Sequence, residues 1–78
     1  MIRKGRKALV PVYNEDISSR FYIVVKILED SSIEDLIPCK VIFIPENVNQ
    51  FFKEAYRTNM TVYIWGGRMH LEYKEVVL

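Results

Sequence analysis

FYIVVKILE, residues Phe21–Glu29, is the most strongly β-forming segment of the chain, dense in the β-branched and aromatic side chains that suit a pleated surface. Alternation places Phe21, Ile23, Val25 and Ile27 on one face and Tyr22, Val24, Lys26 and Leu28 on the other. Both faces are mostly apolar, so the segment is expected as a central strand with a neighbour on each side. Its uninterrupted apolar part, Phe21–Val25, is far too short to cross a bilayer.

Upstream, Ala8–Tyr13 alternates with Ala8, Val10 and Val12 on one side, and Pro11 confines this strand to an edge or a bend. Asn14–Arg20 then reads as a polar loop. Downstream, Ser31 and Glu34 have capping-box spacing, which predicts a short helical turn over Ser32–Ile37 ended by Pro38. Cys39–Pro45 is a third strand.

Asn47 is a helix cap with Gln50 at the reciprocal position, and Val48, Phe51, Phe52, Ala55 and Tyr56 recur at helical spacing. This helix is expected to run to about Thr58, with Asn59 in the left-handed conformation that ends helices. Thr61–Trp65 and Arg68–Val76 are expected as a hairpin about Gly66-Gly67, the glycines supplying positive φ. With Val62 and Ile64 facing the core, Tyr63 and Trp65 face away. Beyond the turn Met69, Leu71 and Tyr73 point in while Arg68, His70 and Lys74 point out.

Five strands and one helix in 78 residues make a mainly β (α+β) single domain, 1–78, best buried by curling into a barrel. A domain of this size buries only about 60% of the surface its unfolded chain exposes, so its stability margin is thin. Half the residues are apolar, which argues against disorder.

The chemistry of catalysis is poorly supplied. One cysteine, Cys39, and one histidine, His70, make neither an intrachain disulfide nor a zinc cage, and Cys39 is expected in the core. His70 and the adjacent acidic pairs Glu15-Asp16, Glu29-Asp30 and Glu34-Asp35 are expected to be solvated. No Gly-rich phosphate loop or metal-ligand spacing occurs, so no catalytic residue, metal or cofactor is assigned and a non-enzyme is expected. With no signal-peptide pattern, a cytoplasmic location follows, and the sequon Asn59-Met60-Thr61 is expected to go unused.

The formal charge is +1, but Arg3, Lys4, Arg6 and Lys7 fall within the first seven residues with no acid among them. The remainder holds seven basic against ten acidic residues, so positive charge is concentrated on an N-terminal arm, 1–7.

The element order strand, strand, strand, helix, strand, strand resembles the oligonucleotide/oligosaccharide-binding (OB) fold, a five-stranded Greek-key barrel with its helix between the third and fourth strands. Thr61-Val62-Tyr63-Ile64-Trp65-Gly66-Gly67-Arg68 is similar to the strand-glycine-strand segment after the helix in many single-stranded-DNA-binding proteins. Where the first OB strand normally bends at a glycine, this chain offers Pro11. The resemblance implies binding of single-stranded DNA or RNA, as in a small accessory subunit of a replication or repair assembly.

Such a site needs cations along the phosphates and rings under the bases. Tyr22, Tyr63 and Trp65 supply the rings, Lys26, Lys40 and Arg68 the cations, and the arm Arg3, Lys4, Arg6 and Lys7 a clamp on the backbone. The opposing expectation packs these aromatics in the core or a dimer contact. A larger protein is the alternative partner, with the chain acting as an adaptor or inhibitor of phage or plasmid type. The apolar end Glu75-Val76-Val77-Leu78 is an edge that a partner, or a second copy in a homodimer, would cover. No membrane partner is expected.

Overall fold

The computed structural model describes residues 1–14, 19–46 and 54–71. They form a mainly β structure: β1 (Lys7–Asn14), β2 (Ser19–Ile27), β3 (Leu36–Phe43) and β4 (Thr61–Trp65), each antiparallel to the next in one sheet. Strand β2 lies between β1 and β3, as expected of a central strand, but only one of its faces is buried. Its inward residues Ile23, Val25 and Ile27 are fully buried and meet Ala8 and Val10 of β1 and Ile37, Cys39 and Val41 of β3. Burying each large aliphatic side chain contributes about 1.5–3 kcal/mol, so this inner face holds the fold together.

The sheet curls. A bulge between Val24 and Val25, which pair with Phe43 and Val41, leaves Ile42 as the extra residue and increases the local twist. Beyond β4 the chain passes through a single 3-10 turn, Gly66–Arg68, and reaches the outer edge of β1. There Leu9 and His70 exchange two backbone hydrogen bonds, His70 accepting at 3.1 Å and donating at 2.8 Å.

Both strand prolines sit where they are tolerated. The Leu9 N–H points to the outer edge, so Pro11, two residues on, lacks its donor on that edge and takes no bond from the β1–β2 ladder. The Pro38 carbonyl accepts from Leu28 at 3.0 Å, just past the end of β2, so its missing donor removes a bond only at the strand's end.

Several expectations need correction. Ser32–Ile37 is not a helical turn. The Asp35 carboxylate accepts the Ser32 N–H at 2.7 Å while the Asp35 N–H bonds back to the Ser32 carbonyl, which closes one tight turn. Strand β3 begins immediately afterwards at Leu36, because burial of Ile37, Cys39 and Val41 on alternate positions outweighs the capping signal, and Pro38 lies inside it. The expected helix falls largely on 47–53, outside the described residues. Glu54 and Ala55 are helical, Tyr56 and Arg57 are not, and the described residues contain four strands and no complete helix. Asn59 does adopt the left-handed conformation, φ 72°, in a turn where Met60 donates to the Arg57 carbonyl.

The expected Gly66-Gly67 hairpin does not form either. Neither glycine has positive φ, and the chain crosses to β1 instead of folding back along β4. Gly66 is needed for a different reason: a Cβ there would lie 2.6 Å from the carbonyl oxygen of Ile33 and 2.8 Å from its Cα. Of the expected strand Arg68–Val76, residues 72–76 lie outside the described residues. The sequential order β1-β2-β3-β4 is a meander, so the Greek-key order of an OB barrel does not appear among the described strands.

Candidate functional site

Inward burial of alternate residues turns the others outward, and the register then decides which of them are neighbours. On β4, Tyr63 (64% exposed) and Trp65 (54%) lie two positions apart on the outer face, while Val62 and Ile64 pack against the core. Tyr63 pairs with Pro38 and Trp65 with Leu36, which is itself half exposed. The two rings therefore stand on a shallow apolar platform and are not packed into the interior.

Lys26 and Lys40, both exposed, are direct partners across β2 and β3 on the same face, and Thr61 of β4 pairs with Lys40. The site residues proposed from these three strands thus share one surface. Tyr22 joins them from the other end of β2, 41% exposed, with its ring edge-on to His70 at 6.1 Å between centroids. His70 is exposed on the same side.

The arginines are placed differently. The Arg68 guanidinium donates to the Pro11 carbonyl at 3.2 Å, and the Arg6 guanidinium donates to the Leu71 carbonyl at 2.9 Å. They straddle the Leu9–His70 bridge and clasp β1 to the returning chain. The basic arm is tied down as well. Ile2 is buried and exchanges two hydrogen bonds with Ser31, the Lys4 N–H donates to the Asp30 carboxylate at 2.7 Å, and Gly5, φ +89°, turns the chain into β1. Arg3 and the Lys4 side chain remain exposed on this turn. Lys7 is not part of a loose arm but the first residue of β1, opposite Lys26. Sequence reasoning grouped Lys7 with the arm because strand register carries no local signal.

Cys39 is fully buried, its thiol donates to the Ile37 carbonyl at 3.4 Å, and burial pushes its pKa up to about 11. This core thiol is unsuited to nucleophilic chemistry. Among the described residues no three His, Cys, Asp or Glu side chains come together as metal ligands, and no helix is long and apolar enough to cross a membrane. No protein-family model, curated protein or solved structure matches the chain.

Proposed function

We propose that this chain is a non-enzymatic module that binds single-stranded DNA or RNA across the outer face of its curled sheet. In this reading it serves as a small accessory subunit of a replication or repair assembly in the cytoplasm. The observation that carries the proposal is the exposure of Tyr63 and Trp65 beside Lys26 and Lys40 on adjacent strands of one face. Stacking on an exposed ring is worth about 1–3 kcal/mol per base and tolerates any sequence, while the lysines neutralise phosphates. The meander order does not carry the OB resemblance, so the proposal rests on this ring-and-cation surface and not on that likeness.

A second reading is favoured by Ile33, Leu36 and Phe43, which are apolar, about half exposed and irrelevant to phosphates. In it the same face docks a larger protein, or a second copy, and the chain is an adaptor or inhibitor. Titration of the protein with a fluorescent single strand of ~20 nucleotides at low and moderate salt separates the two. Salt-sensitive binding that Trp65→Ala and Lys40→Gln each weaken supports the nucleic-acid reading; no binding at low salt sinks it.

A further inference from the structure

We infer that Lys7, Lys26 and Lys40 form a transverse anion track, a site for successive phosphate groups of a polyanion lying across the strands, and that Arg6 and Arg68 are not part of it. The β1–β2 register puts Lys7 opposite Lys26, and the β2–β3 register puts Lys26 opposite Lys40. All three are exposed, and each is flanked by a residue buried on the inner face: Ala8, Val25 and Ile27, and Cys39 and Val41. The backbone of Ile27 bonds toward β1, with Arg6 and Gly5, so Lys26 directs its own backbone toward β3. Lys7 and Lys26 therefore meet at a non-hydrogen-bonded position, where Cα atoms approach to about 4.5 Å and side chains come closest.

Like charges directly opposite one another destabilise a sheet, and Lys26 takes part in two such pairs. Among the described residues no hydrogen bond or ion pair holds the side chain of Lys26 or Lys40. Folding gains nothing from the Lys26–Lys40 pair, whereas a polyanion turns its mutual repulsion into shared attraction. Thr61 continues the row on β4 beside Tyr63, so phosphates over the lysines bring attached bases toward Tyr63 and Trp65. The arginines lie outside the track because their guanidinium groups hold the Leu9–His70 seam. That the polyanion is a nucleic acid rests on the function proposed above; that the row is an anion site does not.

The test is thermal unfolding of wild type, Lys26→Gln and the exposed control Arg57→Gln at low ionic strength. Each is measured alone, with oligothymidylate of about 12 nucleotides, and with inorganic tripolyphosphate. Lys26→Gln, which removes the charge and keeps a polar side chain, is expected to unfold a few degrees higher than wild type when free and to gain less from either anion, while Arg57→Gln changes neither. The slope of log affinity against log salt is expected to shrink by about 0.7 for each track lysine removed. Protection by tripolyphosphate but not by oligothymidylate keeps the track and removes the nucleic-acid reading. A Lys26→Gln protein no more stable than wild type, or a wild type that neither anion protects, overturns the track.

Discussion

On the inner face of the sheet Ile23, Val25, Ile27, Ile37, Cys39 and Val41 are fully buried; on the outer face the intervening positions carry Tyr22, Lys26, Lys40, Tyr63 and Trp65, all exposed. Both sets ride on the same strands, separated by one residue each. The inner set is what any sheet needs in order to fold, being apolar, interlocked and free of buried charge. The outer set places like charges side by side and leaves rings in water, which folding alone does not reward. A face that lowers stability without serving the core is where a ligand or partner is to be sought.

The comparison breaks if the inner face is not dominant. Ile27→Ala, which empties a fully buried site at the end of β2 facing Cys39, is expected to lower stability by about 2–5 kcal/mol in denaturant unfolding. In a domain this small that is enough to leave much of the chain unfolded. The next largest effect belongs to the turn that carries the chain from β4 to β1. Gly66→Ala drives a methyl into the Ile33 backbone and is expected to cost about 1–3 kcal/mol, whereas Gly67→Ala, with nothing within 4 Å, changes stability by less than about 0.5 kcal/mol. Equal effects of the two alanines would show that the close approach is not what the first glycine serves.

Trp65→Ala sharpens the contrast from the outer side. Its expected loss of single-strand affinity is about tenfold, from the stacking energy of one base, with little change in the unfolding midpoint. A large loss of stability instead would make the ring part of the core. The smallest expected effect concerns pH. Burial raises the Cys39 pKa from 9.0 to about 11, so between those values the unfolded chain sheds a proton that the folded chain keeps. The contribution is complete below pH 9 and lost as pH rises through 11. Over that window wild type is expected to lose stability more steeply than Cys39→Ala, and parallel curves would refute it.

Much of the sheet was legible because alternation is local. The inward set Ile23, Val25 and Ile27, the outward placement of Tyr63 and Trp65, the burial of Cys39 and the left-handed Asn59 each follow from a residue and its near neighbours. The misreadings share a cause. Ser31 and Glu34, and Gly66-Gly67, carry real local signals, but the Ser32–Asp35 bonds and the Ile33 backbone compete for those residues, and such contacts have no signature at short range. The candidate site was legible as a set of residue types and not as an arrangement.

What the sequence by itself determined is therefore the period of each strand, and with it which side chains are apolar and inward and which are polar or aromatic and outward. What only the tertiary structure decided is the register that lines up Lys7, Lys26 and Lys40, and the seam by which Arg6 and Arg68 join β1 to the chain beyond β4. The division is physical. Side-chain direction is set by backbone geometry within two residues, whereas register and closure are settled by the total burial and hydrogen bonding of segments far apart in the chain.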